Sequence, residues 1–492
     1  MIMKFKLSTK SISSLLLISA VGITSCNKFG DTNISPNAVT TPVTSALLTN
    51  VETYLGSDAI GNTSASNLAP LTGYYTPYFV QHYSQIQYPD NQLYPTTGVS
   101  WDAYYSGVLE DLQKIIDVNT ANPGPTALGG NSVNQIQIAR ILKAYYFSIV
   151  TDKYGDVPYF KALKGALQVP YDKQKDIYTD LFKELKSAVA SFQNSGNAVT
   201  GDIIYGGNFS NWIRFANSLR LSLALRLSKV DPATGKTEFT SALADPGGVI
   251  DANTYNFKIT YPGGTFNYPM YNLTTASVVA IAKPLADLMN SYSDPRVFAY
   301  GQKNASGNVK GFPYGLNRTN TQAFIVNNPD YSLAYDASFK KNNSTAYVFT
   351  AAYVDLMRAD AAIEYGTGEN AFTLLSKGIS DSWAQWGVTG TLATYLATIG
   401  VSAASTPLQK IQEQMWIALF GSEMNAWDEW RRTGVPALVP APDATNPTKQ
   451  IPRRYPYPSG EVNLNGDAYK AAISALPNGG KDDEVSRVWW DK

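Results

Sequence analysis

From Thr44 onward the chain spaces its apolar residues as a helix requires. Leu47, Leu48, Val51, Tyr54 and Leu55 recur at intervals that place them on one face. The same spacing returns in Tyr105, Val108, Leu112 and Ile115, in Ile138, Ile141, Leu142, Tyr145 and Ile149, and in Tyr178, Leu181, Leu185, Ala188 and Phe192. It predicts further helices near 209–228, 346–364, 369–386 and 406–424. Several of these stretches are neighbours joined by short polar turns, a pattern that predicts stacked helix pairs. Between them run loops rich in Gly, Asn and Pro at 61–100, 245–275 and 301–345, the last two with strand-like alternation. Loops of such length inside a folded body usually bind something. The chain from Pro436 reads as mostly irregular, with "GDAYKAAISAL" as a short helix. The expected fold class is mainly α, a scaffold of helix pairs with long loop-rich regions and a few short strands.

One hydrophobic run does not fit that scheme. Ile12 to Ile23 is almost unbroken in Leu, Ile, Val, Ala, Ser and Gly, behind Lys4, Lys6 and Lys10 and no acidic residue. A basic flank and a run this short make an export signal, since a membrane span needs about 20 residues. Ile23-Thr24-Ser25-Cys26 then fits a bacterial lipoprotein cleavage site, and Cys26 is the only cysteine of the 492 residues. On this reading residues 1–25 are a removed signal peptide and 26–43 a lipidated tether, with a single helical domain over 44–492. A single acyl chain anchors only marginally, at about 0.8 kcal/mol per buried methylene, whereas three chains on Cys26 would hold the protein on a membrane.

Charge and composition narrow the chemistry. Without its leader the chain keeps 36 basic and 39 acidic side chains, a balance that argues against a nucleic-acid partner held by charge. With His82 as the only histidine and Cys26 given to lipid, no Cys/His pair can form. The sequence has no Gly-x-Ser-x-Gly elbow, no His-Glu-x-x-His and no Cys-x-x-Cys, so neither a catalytic residue, a metal site nor a cofactor is expected. "ATGKT" ends like a phosphate loop, but Val230 stands where its first glycine belongs. A glycosidase needs only two suitably placed carboxylates and remains the alternative from the enzyme class.

The candidate chemistry is aromatic. Between Tyr74 and Tyr105 stand ten aromatic residues in 32, where the chain average of 12% would give four. Gln81, Gln85, Gln87, Asp90, Asn91 and Gln92 are interleaved with them. Flat rings stack on the C–H faces of sugars while amides and carboxylates bond their hydroxyls. Tyr75, Tyr78, Tyr83, Tyr88 and Trp101 are therefore the expected ligand-binding residues, for an oligosaccharide or, with the same side chains, a peptide. Trp427, Trp430, Arg431 and Arg432 read instead as structural, closing a helix end. Arg214, Arg220 and Arg226 are expected to lay their stems over the core and pair with carboxylates.

Several segments together resemble a known family. "DTNISPNAVT" follows the lipidated cysteine, and "TDKYGDVPYFKAL" spans Thr151 to Leu163. "RFANSLRLSLALRLSKVDP" covers Arg214 to Pro232, "NAWDEWRRTGVPAL" Asn425 to Leu438, and "IPRRYPYPSGE" Ile451 to Glu461. In this order the segments are similar to those of the SusD/RagB nutrient-binding outer-membrane lipoproteins of the Bacteroidetes. The resemblance implies tetratricopeptide-like helix pairs and a lipid-anchored position at the outer membrane, exposed at the cell surface. It implies a SusC-like TonB-dependent transporter as partner, covered by the lipoprotein as by a lid. It also implies a captured glycan or peptide, with a ligand-free lid as the other possibility.

Overall fold

The computed structural model describes residues 42–56, 75–95, 100–123, 129–166, 168–271 and 277–492. Cys26, the leader and most of the tether lie outside the described residues, as does much of the loop at 61–100. The scaffold begins with α1 (Thr44–Thr53), α2 (Glu110–Ala121), α3 (Ser132–Tyr154) and α4 (Gln174–Ala190). It continues through α5 (Phe209–Arg226) and α6 (Pro232–Leu243), then α7 (Lys283–Ser291) and α8 (Arg318–Asn327). A second group follows with α9 (Ala351–Glu364), α10 (Ala371–Gln385), α11 (Leu408–Ala418) and α12 (Glu423–Thr433), and α13 (Gly466–Ser474) comes last. As the spacing predicts, consecutive helices pack as neighbours: α2 with α3, α3 with α4, α5 with α6, and α9 with α10. The architecture is mainly α.

Polar side chains start these helices. Asn131, Asn208, Asp231, Thr350 and Asn370 each accept a hydrogen bond from a backbone N–H in the first turn of α3, α5, α6, α9 and α10. The cap at Thr350 explains one departure from expectation. The pattern from 346 is apolar enough for a helix, yet Thr345–Phe349 forms strand β4, and the helix starts only after Thr350. The helix expected over 406–424 is likewise divided into α11 and α12, because Gly421 turns the chain with φ 86° between them.

Strands are few and short among the described residues. β1 (Tyr83–Gln85) pairs antiparallel with β3 (Val279–Ile281), and β2 (Phe257–Thr260) with β4, which places Lys258 opposite Tyr347. The two-residue alternation of β4 buries Ala346 and Val348 and leaves Thr345 and Tyr347 half-buried on the other face.

The centre of the body is α3, whose last eleven residues, Ala144 to Tyr154, are all buried. Around its end lies a network of buried charge. Asp152 accepts from Arg226 at 2.6 Å, Tyr178 at 2.6 Å and the Trp490 indole at 2.6 Å. The other arm of Arg226 reaches Asp428 at 2.7 Å, and Asp428 also pairs with Arg431. The Arg431 guanidinium lies 3.7 Å from the Trp427 ring centre and donates to the backbone carbonyl of Asp152 at 2.6 Å. Arg432 pairs with Asp360 at 2.9 Å and Glu429 at 2.8 Å. The segments that carry the family resemblance are thus the ones that knit α3, α5 and α12 together. Arg226 pairs with carboxylates as expected, and Arg214 meets Asp251 at 3.4 Å and Arg220 meets Glu238 at 3.7 Å in looser contacts.

Candidate functional site

The aromatic run does not form the continuous surface that its composition suggests. Tyr83 is 1% exposed, Trp101 4% and Tyr78 5%, so none of the three presents a ring face to a ligand. The cause is packing from distant chain segments. Trp101 is boxed edge-on by Tyr154 at 5.2 Å, Tyr171 at 5.5 Å and Tyr457 at 5.8 Å. Tyr78 accepts from the Gln85 amide at 2.9 Å, and Tyr83 shares a 2.7 Å hydrogen bond with the Tyr335 hydroxyl. Only Tyr88, at 54%, is exposed, while Tyr75 is half-buried and stacked on Phe79. His82 is fully buried and its Nδ1 is held by Glu423, between Trp416 and Phe420.

An open aromatic cleft lies elsewhere, one ring beyond Tyr83. Tyr335, bonded to Tyr83, is in turn hydrogen-bonded to Tyr268, and Tyr268 lines a cavity of about 220 Å³. Tyr347 and Phe339, both half-buried, form its aromatic walls, with Ser338, Lys341, Asn343, Ser344 and Thr345 as polar lining, while Trp386 borders it from a buried position, 4% exposed. Trp386 is the residue at the C-terminal cap of α10, followed by Gly387 at φ 60°, which turns the chain away from the ring. Its ring meets Phe339 at 5.2 Å and Tyr347 at 6.3 Å. Beneath it passes Gly421, where a Cβ would stand 3.3 Å from the Tyr335 hydroxyl and 3.9 Å from the indole.

Two backbone hydrogen bonds hold the rim. The N–H of Tyr268 donates to the Asn342 carbonyl at 2.8 Å, and that of Tyr261 to the Ser344 carbonyl at 3.2 Å. Lys258, on the neighbouring strand, sits 5.9 Å from the Tyr347 ring centre, and burial raises the pKa of the Tyr347 phenol. The Trp386 indole N–H is buried and has no hydrogen-bond acceptor among the described residues. A buried donor left without a partner costs about 1–3 kcal/mol. Two half-buried rings, hydroxyl and amide groups and the single ammonium of Lys341 together suit a polyhydroxylated ligand.

The signal for this cleft in the sequence is faint. Its aromatic and polar halves, "WAQW" at the end of one helix and "KKNNSTAY" before another, lie about forty residues apart, and only the β2–β4 pairing and the end of α10 bring them together. Among the described residues no three His, Cys, Asp or Glu side chains are grouped to hold a metal ion. No helix among them is long and apolar enough to cross a membrane.

A helical scaffold that buries its charged network and leaves a shallow aromatic cleft open has the build of a ligand-holding protein. The chain belongs to the SusD-like family described as starch-binding and associating with the outer membrane, whose model matches residues 36–458. Its structure is similar to that of a SusD homologue from Bacteroides uniformis, at 26% identity and TM-score 0.75, over 91% of this chain and 99% of that one. A chitin-binding SusD homologue from Flavobacterium johnsoniae is 25% identical with TM-score 0.72, over 90% of this chain and 98% of that one. A SusD homologue from Parabacteroides distasonis shares the fold at TM-score 0.77 and 24% identity, over 92% and 98% of the two chains. No curated protein sequence matches the chain.

Proposed function

We propose that this protein captures an oligosaccharide at the cell surface and passes it to a SusC-like TonB-dependent transporter, without catalysing a reaction itself. The observation that carries the reading is the cleft in which the half-buried rings of Tyr347 and Phe339 stand beside hydroxyl and amide groups and Lys341. Tyr88, the exposed ring among the five expected ligand-binding residues, is a second candidate contact. Family membership and the chitin-binding relative make N-acetylhexosamine chains the first ligands to try, with starch fragments beside them. Lipidation at Cys26 supplies the outer-membrane anchor in this scheme.

Calorimetric titration of the chain without residues 1–25 with chitin and starch oligosaccharides tests the reading. Saturable binding is expected, with sugar recovered intact by mass spectrometry. Phe339→Ala removes one of the half-buried rings of the cleft, and it should weaken binding by about tenfold, or about 1.4 kcal/mol. Cleaved sugar would favour the glycosidase alternative, and a complete absence of binding would favour a lid without a ligand. Intact-mass analysis of the native protein should show an acylated Cys26, and affinity capture from membranes should recover the transporter.

A further inference from the structure

We infer that the helix-pair scaffold carries a second sugar-binding site, separate from the Trp386 cleft, that takes a single uncharged sugar ring. It lies where α2, α3 and α4 meet the loop after Pro158, in a cavity of about 360 Å³. The inference rests on the reading of this protein as a glycan binder and adds a site to it.

The first argument is a fixed aromatic step. Phe147 meets Tyr159 edge-on at 4.6 Å, and Tyr159 meets Phe160 edge-on at 4.9 Å. Phe160 is 44% exposed and lines the cavity, so its ring is open to a ligand there. The loop holding it is anchored, since one oxygen of Asp172 accepts the N–H of Tyr159 at 2.9 Å and of Phe160 at 2.8 Å.

The second argument is the wall facing that step. Lys143 projects from α3 into the cavity, and its only hydrogen bond among the described residues is to the Gln113 amide oxygen at 2.6 Å. It forms no ion pair among the described residues, although burial lowers its pKa. Nearby carboxylates are committed in part only. Glu184 holds Arg140 through one oxygen at 3.0 Å, Asp180 accepts from Tyr159 at 2.9 Å, and Asp117 accepts from Gln113 at 2.8 Å. Ammonium donors and carboxylate acceptors thus alternate around the space with spare capacity on both. A sugar hydroxyl both donates and accepts, so it satisfies such a wall at each position. An anion would meet three carboxylates, and a cation would meet Arg140, Lys143 and Lys164.

Equilibrium dialysis of the full mature chain in detergent against labelled chitotriose and maltotriose tests this. The sugar that binds should do so with two equivalents per chain, and Phe160→Ala and Lys143→Met should each reduce this to one. Both side chains are partly exposed, and circular dichroism will verify folding. One equivalent in the unaltered chain, or two retained in both variants, overturns the second site and leaves the Trp386 cleft standing. If neither sugar binds, this inference falls with the reading beneath it.

Discussion

The surroundings of Asp152 and the cleft beside Trp386 are made from the same ingredients, aromatic rings mixed with polar groups, and they differ in whether the rings are covered. Around Asp152 each carboxylate meets a guanidinium, and Trp427 and Trp490 lie against Arg431 at 3.7 and 4.6 Å. At the cleft Tyr347 and Phe339 are only partly covered. Both regions keep buried donors without a partner among the described residues, Arg226 Nε and Arg431 Nε in the first and the Trp386 indole in the second. What sets them apart is that the first leaves no ring face open and the second leaves two.

Deleting a charge in the closed region should have the largest effect. Asp428→Ala leaves Arg226 and Arg431 buried without that partner, and denaturant unfolding should report a loss of about 3–5 kcal/mol. Trp101→Ala empties a fully enclosed aromatic box and should cost about 3–5 kcal/mol by the same measurement. If Trp101→Ala folds as stably as the unaltered chain and loses sugar, the ring belongs to the open region after all. Tyr347→Ala should do the reverse, lowering affinity by about tenfold with the thermal midpoint nearly unchanged. With Lys341 the one charged side chain in its lining, binding at this cleft should also vary only weakly with salt.

A buried acid without a basic partner sharpens the contrast. Glu52 lies fully buried beside Asp202, and burial followed by that neighbouring charge raises its pKa well above the ordinary 4.5. Folding therefore takes up a proton there. Its contribution to stability is complete below about pH 4.5 and is lost as pH rises through the raised value. Glu52→Gln, which mimics the protonated form, should flatten that decline in urea unfolding curves measured across pH. The smallest change is expected from Tyr88→Ala, within about 0.5 kcal/mol of the unaltered stability.

Helices were the most readable part of the sequence, because each carries its own evidence. The stripe of Tyr178, Leu181, Leu185 and Ala188 on α4 is buried as its spacing requires, and α3 packs against that helix. The second half of α3, from Ala144 to Tyr154, is buried all round, so its stripe marks the helix without marking which face matters there. The structural role of Trp427, Arg431 and Arg432 was also readable, from the segments that carry the family resemblance. The aromatic cluster misled, because local composition counts rings without knowing what covers them. Tyr83 is covered by Tyr335 and Trp101 by Tyr457, residues more than 250 positions away. A separation of about forty residues hid the cleft, since Trp386 and Trp383 read only as tryptophans near a helix end until β4 arrives beside them.

The hydrogen bond from Trp490 to Asp152 joins positions 338 residues apart, and Asp428 reaches Arg226 across 202. A chain clasped this way cannot finish the end of its central helix until Trp490 is present. Consecutive helix pairs pack on their own neighbours meanwhile, so what waits is the clasp and not the scaffold.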